Sequence, residues 1–321
     1  MTATPGSSVL AQTVAPRSWT PDTTPEVRTV KTTALVIGAA LASVIAMTTP
    51  ALARTTTNSP KLPAGVTVQG SLRYAPDIHL PRTHLPNARP AAANIYMSDN
   101  WAGYVATADS GQKFDWASGS FTVPGINCAA SEMGSSGYAY VATWAGIDGW
   151  NGTTVEQEGV DAYCDGTAAT PVYFAWYEMY PKVPVVFAGV SPGDAIETKT
   201  TYSTSTKDYT LGLTDLTTGG SFTAVEAGPS GSTCKNASAE MITEDPGGAV
   251  TGGYDLANFG MDNVMGVYAE TESGVKSGLS TTKAWTGDQV EIVDPNNSAI
   301  MAYPSQLYGG RAGEIYFKAS Q

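Results

Sequence analysis

Short apolar segments alternate with polar turns along the chain from Asn94 onward. Val172–Tyr180 is rich in aromatic and β-branched residues, and a polar turn joins Thr198–Tyr202 to Tyr209–Leu213. Glu314–Lys318 has the composition of a last strand. We find no helical period longer than a few turns and no internal repeat. The pattern predicts an all-β fold, a sandwich or jelly-roll of two antiparallel sheets.

An apolar stretch, Thr32–Met47, lies near the N-terminus. Arg28 and Lys31 precede it, and an Ala-Leu-Ala tripeptide at 51–53 follows it. A positive flank, an apolar run and a cleavage site of this kind are typical of a secretory signal. The run is shorter than the roughly 20 residues that span a bilayer, although a membrane anchor is the alternative. We predict a signal-peptide region over 1–53 and a secreted, extracellular protein.

Charge divides the remaining chain into two parts. Residues 54–92 hold five basic residues, one acidic residue and both histidines, His79 and His84, whereas 93–321 holds 9 Lys and Arg against 26 Asp and Glu. We predict a basic pro-segment over 54–92 that docks by charge on a catalytic domain over 93–321. A disordered linker is the alternative. Below about pH 5 the carboxylates begin to protonate, which would weaken the attraction.

The acidic body excludes several classes of function. It argues against nucleic acid and anionic membranes as partners, since both need basic residues. Because 93–321 contains no histidine, Ser-His-Asp, Cys-His and the usual His-ligated zinc sites are excluded. Acid–base chemistry must then use carboxylates, Lys, Tyr or Cys. We expect no cofactor, no metal and a monomeric protein.

Six short segments carry the candidate chemistry, and their order along the chain is informative. They are SDNWAGY at 98–104, WAGIDG at 144–149, VEQEG at 155–159, WYEMYP at 176–181, SPGD at 191–194 and ASAE at 237–240. In this order they resemble the glutamic peptidases, also called eqolisins. The resemblance runs from about Asn100 to Glu240, roughly half of the chain.

The resemblance implies a concanavalin-like β-sandwich that hydrolyses protein or peptide substrates in acid. It places the catalytic pair at Gln157 and Glu240. It also implies that Trp144 and Asp148 lie beside the active site. Trp176 and Glu178 would lie near the substrate groove.

The chemistry of that pair is sound without the resemblance. With an ordinary pKa near 4.3, Glu240 is about half ionised in mild acid, so it can take a proton from water and later return one to the leaving amine. The neutral amide of Gln157 can donate to the developing oxyanion at any acid pH. The small residues around Glu240 predict an accessible carboxylate. Alternation along a strand turns Glu156 and Glu158 away from the face of Gln157.

Some positions depart from the pattern of the glutamic peptidases. Glu158 replaces the small or Thr-like residue that commonly follows the catalytic glutamine, and Met241 replaces a frequent aromatic. Ala145 occupies a position where Val is usual. None of these changes removes a catalytic group.

Three cysteines in an exported chain permit one disulfide bond. A bridge between Cys164 and Cys234 would join the loops beside Gln157 and Glu240, and we prefer it. Pairings with Cys128 stay open.

Two rival functions remain, and the sequence argues against a third. A glycoside hydrolase would use Glu178 and Glu240 as its carboxyl pair, and a lectin-like module would stack sugars on the tryptophans. A pepsin-like peptidase needs two Asp-Ser-Gly or Asp-Thr-Gly loops, but Asp109-Ser110-Gly111 has no second copy.

Overall fold

Strands form nearly all of the regular structure in the part of the chain that the structure describes. The computed structural model describes residues 67–69, 72–74, 95–134, 137–150, 152–166, 170–187, 189–229, 234–246, 256–294 and 297–318. These residues belong to one compact unit, Thr56–Gln321. The predicted signal region lies outside the described residues, as does most of the predicted pro-segment.

One sheet, called the front sheet below, carries the candidate site. Its strands, in spatial order, are β2 (Leu72–Tyr74), β9 (Val185–Val186), β8 (Val172–Tyr180), β7 (Val155–Asp165), β6 (Tyr138–Ile147), β13 (Ser238–Glu244), β4 (Trp101–Ala108) and β16 (Trp285–Val293). All of these pairings are antiparallel. At the two margins, β1 (Thr67–Gln69) pairs with β2, and β3 (Ile95–Ser98) pairs in parallel with β16.

The second sheet, called the back sheet, packs against the first. Its strands, in spatial order, are β12 (Ser221–Ala227), β11 (Asp208–Asp215), β10 (Ala195–Tyr202), β5 (Phe114–Thr122), β14 (Met261–Thr271), β18 (Gly313–Phe317) and β17 (Ile300–Pro304), with β15 (Lys276–Gly278) also on β14. Strand β17 also pairs with β16 and so joins the two sheets. The described residues contain a single short 3-10 turn at Cys128–Ala130 and no α-helix.

Alternation along the front strands creates two separate apolar clusters. The residues that face the back sheet form the main core, with Tyr104, Ile147, Val160 and Met241 among them. The residues on the opposite, outer face form a second cluster rich in aromatic rings: Trp101, Tyr140, Trp144, Tyr163, Phe174 and Trp176. A sheet that is apolar on both faces is covered on both, and the outer face is the one that carries the candidate site.

The predicted disulfide bond is wrong. Cys164 is bonded to Cys128, and Cys234 is free. The physical reason is the direction of the side chains: Cys164 points into the core between the sheets, where Cys128 packs, and Cys234 lies against Glu156 in the segment before β13. Cys164 and Cys234 lie near Gln157 and Glu240 in the sequence, but this nearness did not indicate where their side chains point.

Part of the predicted pro-segment adds to the front sheet. Residues 67–69 and 72–74 form the β1–β2 hairpin, and Tyr74 of β2 pairs with Val185 of β9. In the part of the chain that the structure describes, no helix has the length and hydrophobicity needed to cross a membrane.

Candidate active site

The two predicted catalytic residues lie in one cross-strand row. Glu240 on β13 pairs with Gly146 on β6, Gly146 pairs with Gln157 on β7, and Gln157 pairs with Glu178 on β8. Cross-strand partners project to the same face, so Glu240, Gln157 and Glu178 all project from the outer face of the front sheet. Their shared face follows from strand register alone.

Gly146 leaves the space between Glu240 and Gln157 open. A Cβ atom at this position would lie 2.8 Å from the backbone oxygen of Glu156 and 2.9 Å from Cβ of Gln157. Any side chain here would therefore displace the strand that carries Gln157. With glycine in place, no side chain stands between Glu240 and Gln157 in the cross-strand row.

A second row, two residues further along the strands, repeats this arrangement with aromatic residues. Trp144 on β6 pairs with Gly159 on β7, and Gly159 pairs with Trp176 on β8. A Cβ atom at Gly159 would lie 2.6 Å from Cβ of Trp144. The two indoles thus flank a position that has no side chain. Trp101 packs edge-on against Trp144, with ring centroids 4.9 Å apart.

The amide of Gln157 is oriented by a carboxyl group. Its Nε2 donates a hydrogen bond of 2.8 Å to Oε2 of Glu178, and both side chains are buried. An amide nitrogen has two N–H groups, and this bond uses one of them. Trp176 and Glu178 share the outer face, while Tyr177 and Met179 belong to a separate cluster on the other side of β8.

Glu240 is buried, and this corrects two expectations. The side chain is 1% exposed, although its small neighbours predicted an accessible carboxylate. Burial raises the pKa of Glu240 well above the ordinary carboxyl value, and the charges of Asp148 and Glu156 act in the same direction. The ordinary pKa that the sequence predicted is therefore wrong for the full-length chain, in which the neutral acid is favoured.

Asp148 holds the chain segment that leads into β13. Its two carboxylate oxygens accept hydrogen bonds from the backbone N–H groups of Asn236 and Ala237, both at 2.8 Å. Tyr209 adds a third contact, from its hydroxyl to the side-chain oxygen of Asn236 at 2.6 Å. Asp148 is buried at the end of β6 in a left-handed conformation, with φ of 69°. These hydrogen bonds hold the backbone of the segment that leads into β13, the strand of Glu240.

Glu156 and Glu158, the neighbours of Gln157 in sequence, lie on the inner face of the front sheet, which faces the back sheet. Glu156 accepts a hydrogen bond from the thiol of Cys234 at 3.3 Å, and Glu158 accepts one from the Thr200 hydroxyl at 2.7 Å. Both are fully buried, and burial raises the pKa of each well above the ordinary value. They face away from Gln157, as the alternation predicted.

Glu244 is a site residue that the sequence reasoning missed. Its Oε2 accepts a hydrogen bond of 2.7 Å from the indole Nε1 of Trp144. Strand alternation could have indicated it, because Glu244 lies four residues after Glu240 on the same strand and so projects from the same face. Among the described residues, no group of three or more His, Cys, Asp or Glu side chains could hold a metal ion.

Comparison with known proteins relates this geometry to a family. A model of the Peptidase A4 family matches residues 99–302, more than half of the chain. Scytalidopepsin B of Scytalidium lignicola is 35% identical over 158 residues, which cover 48% of this chain and 54% of the relative. Aspergillopepsin-2 of Aspergillus niger is 38% identical over 172 residues, which cover 47% of this chain and 57% of the relative. The matched part thus spans little more than half the length of these curated relatives.

Solved structures extend the likeness to three dimensions. Scytalido-glutamic peptidase with a peptide-based transition-state analogue matches with a TM-score of 0.54 and 27% identity, covering 68% of this chain and 98% of the other. SCP-B, an eqolisin solved with the tripeptide Ala-Ile-His, matches with a TM-score of 0.52 and 26% identity, covering 68% of this chain and 98% of the other. These matches confirm the all-β sandwich that the sequence predicted.

Proposed function

The chain belongs to the Peptidase A4 family, the glutamic peptidases that its six segments resembled, and from this premise we propose that it is a secreted endopeptidase active in acid. Glu240 is the general acid and base, and Gln157 stabilises the oxyanion. Trp144, Trp176 and Glu178 support a groove for protein or peptide substrates. The enzyme acts as a monomer and needs no cofactor.

The row Glu240–Gly146–Gln157 is the observation that supports this proposal most strongly. Neighbouring strands lie about 4.8 Å apart, so the two Cα atoms are separated by roughly 10 Å across the glycine. Two side chains that project from one face at that separation leave room between them for one peptide group and one water molecule. The carboxyl group then lies on one side of the scissile bond and the amide donor on the other.

The reaction follows from these positions. The ionised Glu240 takes a proton from water, and the resulting hydroxide adds to the scissile carbonyl carbon. The carbonyl oxygen becomes an oxyanion, which accepts a hydrogen bond from the N–H of Gln157 that Glu178 does not use. Glu240 then gives its proton to the amide nitrogen, the C–N bond breaks, and a new carboxyl group and amine are released.

The full-length chain is a latent precursor in this proposal. Gln157, Glu178 and Glu240 are all buried in it, and β2, from the basic segment 54–92, extends the sheet beside β8 and β9. The opposite charges of 54–92 and 93–321 favour their association near neutral pH. Acid weakens that attraction, so removal of the segment in acid would open the site and lower the pKa of Glu240 toward the value of a solvated carboxyl.

A pH series on the acid-treated protein tests the proposal. Cleavage of denatured casein is measured from about pH 2 to about pH 7 with the unmodified chain, Glu240→Gln and Gln157→Ala. Glu197→Gln is the control, because Glu197 is exposed on β10 of the back sheet. We expect an acid optimum, no turnover with Glu240→Gln, and a loss of roughly 10²–10³ in kcat with Gln157→Ala. Absence of cleavage by a folded, processed protein overturns the peptidase assignment, and glycan cleavage that survives Gln157→Ala would support a glycoside hydrolase instead.

A further inference from the structure

The indole of Trp144 is held by a buried carboxyl group. Its Nε1 donates to Oε2 of Glu244 at 2.7 Å, and both side chains have no exposed surface. Trp144 pairs across the strands with Ile242, two residues before Glu244 on β13. The indole therefore leans along the sheet toward Glu244, away from the row of Glu240 and Gln157.

A second donor meets the other oxygen of the same carboxyl group. The Nδ2 group of Asn100 approaches Oε1 of Glu244 at 3.4 Å. Asn100 is itself fixed, because its Oδ1 accepts from the Ser98 hydroxyl at 2.8 Å and its backbone oxygen accepts from the N–H of Asp245 at 2.8 Å. The segment 98–101, which formed part of the first sequence motif, is thus connected to Trp144 through Glu244.

We propose that Glu244 is a positioning residue that fixes the plane of Trp144 in the substrate groove, with Asn100 as its support. The inference rests on the proposed function, in which Trp144 contacts the substrate. A tryptophan ring turns about two side-chain bonds, and packing against Trp101 alone leaves its single N–H undirected. An acceptor on that N–H selects one orientation.

The chemistry of the partners explains why this position needs an acid and not an amide. Trp144 and Asn100 both present N–H donors to Glu244. A carboxyl group has two oxygen atoms that can accept hydrogen bonds, whereas a glutamine offers one oxygen and one NH₂ group, which can only donate. In Glu244→Gln, one of the two donors would face another donor in a buried site, where an unsatisfied polar group is costly. The Trp144 plane would then lose its restraint while the volume of the side chain stays the same.

A double-mutant cycle on the acid-treated full-length protein tests the proposal. KM and kcat for a peptide substrate are measured for Glu244→Gln, Trp144→Phe and the double variant, since phenylalanine has no N–H for Glu244 to accept. We expect Glu244→Gln to raise KM roughly tenfold with kcat within about twofold, and to have no further effect once Trp144 is Phe. Glu197→Gln, on the back sheet, serves as the control that leaves KM unchanged.

A measurement independent of activity separates this proposal from the proposed function. In ¹⁵N-labelled tryptophan spectra of the full-length chain, Trp144→Phe identifies the indole N–H resonance of Trp144. We expect that N–H to exchange slowly with solvent, and to exchange at least tenfold faster in Glu244→Gln. Unchanged exchange, or additive effects on KM in the double variant, overturns the role of Glu244. A slowly exchanging resonance in a protein that cleaves no peptide would instead contradict the peptidase assignment and leave the contact intact.

Discussion

Nε2 of Gln157 donates a hydrogen bond of 2.8 Å to Oε2 of Glu178, the residue directly opposite it on β8. If Gln157 stabilises the oxyanion, this contact decides where its second N–H points. We expect Glu178→Leu to lower kcat roughly tenfold or more, because the amide loses an acceptor whose hydrogen bond contributes on the order of 1.5 kcal/mol.

Glu178→Gln is the matched variant for that comparison. It keeps the length of the side chain and one acceptor oxygen, so kcat should stay within a few fold of the unmodified enzyme. Steady-state kinetics in acid provide the readout. Equal kcat values for the leucine and glutamine variants would show that the contact does not orient Gln157.

Gly146→Ala should damage both stability and activity. The new Cβ would meet the backbone of Glu156 and Cβ of Gln157 at less than 3 Å, and neither is the flexible end of a side chain. We expect a loss of about 1–3 kcal/mol in the free energy of unfolding, measured by urea denaturation, together with reduced kcat. Gly212→Ala on β11 is the control, because the atom nearest to its new Cβ would be the backbone oxygen of Phe222, at 3.7 Å. Its free energy of unfolding should stay within about 1 kcal/mol of that of the unmodified chain. If Gly146→Ala unfolds with the same free energy as Gly212→Ala, the claim that position 146 has no space for a side chain is wrong.

Asp262 should make the fold less stable as the pH rises. It lies between the sheets, where its Oδ2 accepts from the hydroxyls of Thr143 at 2.6 Å and Thr243 at 2.9 Å. Burial raises the pKa of Asp262 to about 6. Between about pH 4 and that value the folded protein retains a proton that the unfolded chain has released, so stability falls with increasing pH by about 3 kcal/mol in total and levels off above it.

Asp262→Asn removes this contribution. The difference in unfolding free energy between pH 4 and pH 7 should shrink by about 3 kcal/mol, whatever the absolute stability of the variant. Urea denaturation of the full-length chain at the two pH values gives the number. Asp109→Asn, at an exposed position, should leave the difference unchanged. A variant at 262 with the same pH dependence as the unmodified chain would assign the effect to other groups.

Cys234 should be a free thiol that reacts slowly in the native protein. Burial raises the pKa of this thiol to about 12, and the neighbouring Glu156 acts in the same direction, so little thiolate forms at pH 8. A disulfide-exchange reagent should react slowly with the native chain and rapidly with one thiol after denaturation. A non-reducing peptide map should join Cys128 to Cys164. Detection of a disulfide-linked peptide that contains Cys164 and Cys234 would show that the assigned pairing is wrong.

Local pattern was enough to predict β8 and the faces of Glu156 and Glu158 on β7. The segment Val172–Tyr180 forms β8 over the predicted bounds, and the alternation around Gln157 places Glu156 and Glu158 on the inner face. Both results depend on composition and on a period of two, which a sequence displays directly.

Features that depend on tertiary contact were not predictable in the same way. The partner of Cys164 depends on which loop crosses the core, and the pKa of Glu240 depends on how the surrounding chain covers it. Alternation along β13 places Glu244 on the face of Glu240, but its contact with Trp144, 100 residues away in sequence, depends on the pairing of β13 with β6. No local rule connects such positions before the strand order is known.

The glycine between Glu240 and Gln157 has a consequence for engineering. The two residues come from strands that are distant in sequence and meet only because β6 lies between them in one register. A shift of β6 by a single residue would turn Ala145 or Ile147 to the outer face between them. The pair therefore cannot be grafted onto another protein as a loop: β13, β6 and β7 would have to be transferred together, with their alignment intact.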